Sequence, residues 1–202
     1  MKQDATTAAA LGGVVGLTWA AGFREYMSAI SGKESEVTWY GTFAGVLAPA
    51  AAVGALFGWA EHRRHTGRDL PHRRAVAAAP VIMGIVPLTK PGAIKTLVTN
   101  GQGSGAGAIA GAAIAGGYAL AGRGPAWTRI LTGVLAVAVA AGVAASVPSI
   151  GGARLSLTKP RGALTAVLGA GSVITLALAA SVPFRGRDAR DAPDASLRTT
   201  FP

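Results

Sequence analysis

Charge is confined to a few short stretches of this chain, and between them lie apolar runs of membrane-spanning length. Val37 to Ala60 and Ala163 to Phe184, for example, contain no Asp, Glu, Lys, Arg or His. An ionised side chain at mid-depth in a bilayer costs several kcal/mol, so lipid imposes this kind of segregation. A soluble fold scatters its charges and carries about 25% of them; here only 14% of residues are charged and 50% are hydrophobic. Without water, each backbone N–H and C=O must be satisfied within the protein, which leaves helices and closed barrels. Apolar runs near the roughly 20 residues that a spanning helix needs select the helix.

Six segments qualify or nearly do: Ala5 to Gly22, Val37 to Ala60, Ala75 to Leu88, Gly105 to Ala121, Ala126 to Val147 and Ala163 to Phe184. The expected fold is all-α, a polytopic transmembrane helix bundle of about six helices arranged as three hairpins. It occupies residues 1–184 and leaves 185–202 as a disordered polar cytoplasmic tail. Several segments are rich in Ala and Gly rather than Leu, which favours close helix packing. The pairs Gly12/Gly16, Gly41/Gly45, Gly54/Gly58 and Gly107/Gly111 all carry the small-x3-small spacing of such packing.

The first segment reads as a retained helix rather than a cleaved secretory signal, because Trp19, Phe23 and Tyr26 obstruct a small-residue cleavage site. Those three aromatics are expected at the membrane interface, with Trp39 and Tyr40 at the same level. Pro49 should kink the second helix. Beyond it, Glu61 to Arg74 is the most basic loop in the chain and marks the cytoplasmic face, placing the N-terminus there too. The third segment is short and holds Pro80 and Pro87. It either spans or dips in as a re-entrant loop; the six-span scheme is preferred because it also places the arginine-rich tail on the cytoplasmic side of a bacterial plasma membrane. The Gly122 to Pro125 link is short enough to make its two flanking helices antiparallel neighbours.

One pattern occurs twice. Leu88-Thr89-Lys90-Pro91 runs down to Gly101-Gln102-Gly103-Ser104, and Leu157-Thr158-Lys159-Pro160-Arg161 runs down to Gly169-Ala170-Gly171-Ser172, the two lysines 69 positions apart. The spacing indicates an internal parallel repeat with both copies on one face. Proline suits a first helical turn, and Thr89 and Thr158 could cap the helices that follow. A lysine beside a helix N-terminus can hold phosphate or carboxylate. Lys90, Gly103, Ser104, Lys159, Arg161, Gly171 and Ser172 are therefore the candidate contacts for an anion or lipid headgroup. The plainer reading is that lysine marks the membrane surface, proline starts a helix and glycine lets helices pack.

Other chemistry finds little footing. The chain has no cysteine, which excludes disulfides, thiolate metal sites and cysteine nucleophiles. The net charge of +10 is explained by membrane orientation rather than by nucleic acid. His62, His65 and His72 lie among arginines that repel cations, and Glu61 beside His62 lacks an associated nucleophile. No metal or cofactor is expected. Apart from Arg129, near the start of the Ala126 to Val147 segment, the six segments contain no Asp, Glu, Lys, Arg or His, which leaves no carboxylate or imidazole for a proton relay or a cation site.

The stretch Thr18 to Met27, with Val37 to Phe43 and Gly58 to His62, resembles uncharacterised integral membrane proteins of actinobacterial type. The likeness covers about the first third of the chain and implies a membrane location without an activity. The expected function is a non-enzymatic membrane component such as an accessory or scaffold subunit, with membrane lipids and a homo-oligomeric or membrane-protein partner. The alternatives are a facilitative carrier of a small or anionic solute and an enzyme acting on lipid headgroups.

Overall fold

The computed structural model describes residues 4–32, 35–89 and 104–185. Its helices are α1 (Ala5–Ser31), α2 (Trp39–His65), α3 (Arg73–Ala77), α4 (Pro80–Ile85), α5 (Ser104–Leu120), α6 (Ala126–Gly151) and α7 (Pro160–Ala180). Short 3-10 turns, Val86–Thr89, Gly152–Leu155 and Val182–Phe184, extend α4, α6 and α7. The fold is an all-α bundle. Four of its helical segments are long and apolar enough to cross a membrane: Ala5–Ser31 and Trp39–His65 with 27 residues each, Ala126–Leu155 with 30 and Pro160–Phe184 with 25.

The α1–α2 hairpin is held by backbone-to-backbone packing. Gly12 and Gly16 of α1 face Gly54 and Gly58 of α2, and a methyl group on any of the four would overlap backbone of the opposite helix. Two of the four small-x3-small pairs thus meet each other. Gly107 and Gly111 look onto open space, and Gly41 and Gly45 lie against their own helix.

Pro49 acts differently from a simple kink. The helix is π-helical over Trp39–Leu47 and becomes α-helical at Ala48, whose N–H still bonds five residues back to Phe43. Proline has no N–H and its ring collides with the carbonyl four residues earlier, and the wider turn before it makes room for both defects.

The third apolar segment is broken but still runs the height of the bundle. Arg73, at the start of α3, reaches the carbonyls of Pro183 and Phe184 beyond the end of α7. Thr89, where the segment ends, lies 3.2 Å from the Tyr40 hydroxyl at the start of α2. Among the described residues the chain therefore passes between the bundle ends six times counting α5, and Asp4 and Arg185 lie at the same end as the 61–74 loop. The α5–α6 link is a true tight turn, with Gly122 and Gly124 at φ of 73° and 90°. Arg129 crosses from α6 to the Ala119 carbonyl at 3.4 Å, fixing the antiparallel pair.

Several side chains fall where the sequence did not place them. Trp19, Phe23 and Tyr26 form a stacked ladder with ring centroids 5.4 and 5.7 Å apart. Their three- and four-residue spacing puts them on one face of α1, turned into the bundle. Tyr26 is buried, and the Trp19 indole donates to the Ser172 carbonyl at 2.9 Å. Trp39 and Tyr40 do stand outward, 81% and 56% exposed. Arg24, within α1, donates to the Ser35 hydroxyl at 2.8 Å and to the Glu36 carbonyl, latching the connection to α2.

Where both copies of the repeated pattern are described, their local structures differ. Pro160 does open α7, but Lys159 itself occupies the cap position with no side-chain cap bond, while Thr158 pairs with Ser156 at 2.9 Å. Gly169 to Ser172 lies inside α7, whereas Ser104 begins α5. Thr89 closes a 3-10 turn by donating to the Val86 carbonyl at 2.7 Å. Lys90 to Gly103 lie outside the described residues, as does the tail from residue 186.

Candidate anion-binding site

The sequence-derived candidates divide in the structure. Lys159 and Arg161 are exposed at the first turn of α7. Ser172 is thirteen residues further on, about 20 Å along the helix at 1.5 Å per residue. It is buried and its hydroxyl donates to Leu168 at 2.7 Å, so it cannot share an anion with Lys159. A side chain at Gly171 would meet open space. Lys90 and Gly103 fall outside the described residues, and Ser104 contributes its backbone to the first turn of α5.

The charged concavity lies at the opposite end of the bundle. A cavity of about 380 Å³ is lined by Arg64, Arg68, Arg73, Arg123 and Arg185, with Asp69 as its acidic residue. Four separate pieces of chain deliver these arginines. The C-terminal turn of α2 brings Arg64, and Thr66 and Gly67 then turn the chain back towards Arg68, with Gly67 at a φ of 67°. The first residue of α3 is Arg73, the tight α5–α6 turn presents Arg123, and the end of the 3-10 turn after α7 supplies Arg185.

Their roles differ. Arg64 pairs with Glu61 at 2.6 Å, and Glu61 also meets His65 at 3.0 Å. Arg73 is spent on the last carbonyls after α7, which have no helical partner and carry the negative end of the helix dipole. No hydrogen bond or ion pair ties down the guanidinium of Arg68, Arg123 or Arg185 among the described residues. Arg63 stands outside the cavity, 5.2 Å over the Trp59 ring, and donates to the Asp69 carbonyl at 2.8 Å.

Guanidinium groups present planar, forked donors that match phosphate and carboxylate oxygens. They do not deprotonate in proteins. The arrangement can hold an anion and cannot relay a proton through these residues. Glu61 and His65, beside Arg64 in the last turn of α2, are already engaged with each other and with Arg64.

In the sequence these arginines stand out only as an orientation signal. The information that would have found them was present: the basic 61–74 loop, the Gly122 to Pro125 turn and the residues after Phe184 all fall on one face in the six-span scheme. Comparison with protein-family models, with curated proteins and with solved structures finds no match.

Proposed function

We propose that this chain is a non-enzymatic multi-pass component of the bacterial plasma membrane, an accessory or scaffold subunit with both termini cytoplasmic, similar to uncharacterised actinobacterial-type membrane proteins. The observation that carries the reading is how the bundle uses its charge and its interior. Its charged side chains gather at the two ends, where Arg24, Arg73 and Arg154 hold backbone carbonyls of distant segments. Between the ends, the spaces inside the bundle are walled mainly by apolar side chains, with Glu61, near the arginine-rich end, and Thr175 as the polar residues among them. Arginine-to-carbonyl hydrogen bonds at the ends and apolar packing between them make a rigid membrane-embedded frame. The positive-inside bias assigns the arginine-rich end to the cytoplasm.

The carrier alternative draws on one feature, the arginine-lined cavity, which could serve as an anion vestibule. An anion leaving it inward meets the apolar space around Gly16, Phe57 and Met83, where an unpaired charge is costly. Flux measurements separate the readings. Reconstituted vesicles loaded with phosphate, sulfate or a small carboxylate should leak at the rate of empty vesicles, while cross-linking in native membranes should give a discrete higher-mass species. Saturable anion flux abolished by Arg68→Gln would replace the scaffold reading with the carrier.

A further inference from the structure

The arginine-lined cavity does not stand alone. A second cavity of about 230 Å³ adjoins it, and Val182 lines both. This second space is walled by Val15 and Gly16 of α1, Phe57 of α2, Met83 of α4 and Leu176 of α7, with Glu61, which pairs with Arg64, at its end nearest the arginines. It runs beside Thr175, Leu176 and Ala179 of α7 to Val182 in the turn beyond, a rise of about 10 Å over seven residues. Val15 is 63% exposed and Thr175 is exposed, so the crevice opens sideways between α1 and α7, towards the lipid rather than towards water.

The depth of the charged cavity fits the headgroup region. Trp59 lies close before Arg64 on α2, and Trp127, 68% exposed, opens α6 four residues after Arg123. Tryptophan concentrates at the membrane–water interface. A polar, strongly cationic chamber at headgroup level therefore continues into an apolar crevice at acyl-chain level. A free inorganic anion fills only the charged part, and a zwitterionic lipid brings its own headgroup cation against the arginines.

We propose that this composite site binds one anionic phospholipid, its phosphate held by Arg68, Arg123 and Arg185 and one acyl chain lying in the crevice between α1 and α7. Arg73, already fixed on the carbonyls after α7, adds fixed positive potential. The crevice gives the lipid residence beyond what a surface basic patch supplies, because the tail is packed against protein while the phosphate is held by forked donors. The site goes beyond the accessory or scaffold role and holds whether or not a partner protein exists.

The test uses the full chain in vesicles of phosphatidylglycerol mixed with phosphatidylcholine, followed by native mass spectrometry of the released protein. The wild type should retain one phosphatidylglycerol and exclude phosphatidylcholine. Arg68→Gln/Arg123→Gln removes side chains without partners among the described residues and should cut retention by about tenfold. Thr175→Trp, which fills the crevice mouth and leaves every arginine in place, should also lose the lipid. Unchanged retention in the arginine double variant overturns the proposal. Normal retention in Thr175→Trp, with displacement of the lipid by inorganic phosphate alone, overturns it in favour of a simple anion site. Each variant's helicity by circular dichroism shows whether a loss reflects unfolding, and anion flux bears on the scaffold reading separately.

Discussion

The indole N–H of Trp19 donates to the backbone carbonyl of Ser172 at 2.9 Å, joining α1 to α7 across 153 positions of sequence. The same Ser172 turns its hydroxyl back onto Leu168, so the residue is occupied on both sides. Trp19→Phe keeps the stack on Phe23 and deletes the bond. It should cost about 1 kcal/mol, the usual net worth of an internal hydrogen bond, read as a lowered thermal midpoint in detergent. An unchanged midpoint would mean that α1 is held to the bundle by packing alone.

Gly12 and Gly54 predict a sharper contrast. Replacing either with Ala forces a methyl group into backbone of the facing helix, and overpacking of this kind costs about 1–3 kcal/mol. Gly107→Ala adds its methyl to open space and should be neutral or gain up to about 1 kcal/mol from helix propensity. Denaturant titration of the three variants should rank them in that order. Equal effects at Gly12 and Gly107 would break the argument for glycine contact between α1 and α2.

Arg154 closes the far end of the bundle. Its guanidinium donates to Ala29 at 3.1 Å and Ile30 at 3.3 Å, the unsatisfied carbonyls ending α1, while Nε holds Gly151 at 3.1 Å. Arg154→Gln should destabilise by about 1 kcal/mol and speed amide exchange near the α1 terminus. Arg154→Lys, which keeps the charge but loses the fork, should recover part of the stability. Full recovery with Lys would make the effect one of charge alone.

Asp4 caps α1 by accepting the Thr7 N–H at 2.6 Å, and that backbone bond, with the Thr7 side chain, holds its carboxyl below the ordinary value. A depressed folded pKa means the cap contributes above the unfolded value and is lost as pH falls through the folded one. Amide exchange at Thr7, corrected for intrinsic rates, should therefore gain protection as pH rises from strongly acidic to neutral. Asp4→Asn should flatten that dependence.

The apolar runs made the fold class and most helix positions legible, because lipid removes the alternatives before packing is considered. Ala126, predicted to open one spanning segment, is the first residue of α6, and Phe184, predicted to close another, ends the turn after α7. Tertiary contacts decided what the runs could not. Trp19 and Tyr26 look interfacial by type, yet their spacing on α1 and the nearness of α7 and α6 draw them inside. The Gly-x-Gly-Ser motif gives no local signal that distinguishes a helix start at Ser104 from mid-helix at Ser172. The arginine-lined cavity needed four chain segments assembled at one end, information that no single motif holds.

The central structural claim is that the broken segment from Arg73 to Thr89 crosses the bundle, so that the chain makes six passes. Because the chain has no cysteine, single cysteines at Val37, Gly67, Thr89, Arg123 and Thr158 can be labelled with an impermeant maleimide from one side of sealed vesicles. Gly67 and Arg123 should react together, and Val37, Thr89 and Thr158 should react together from the other side. Labelling of Thr89 from the same side as Gly67 would contradict the crossing.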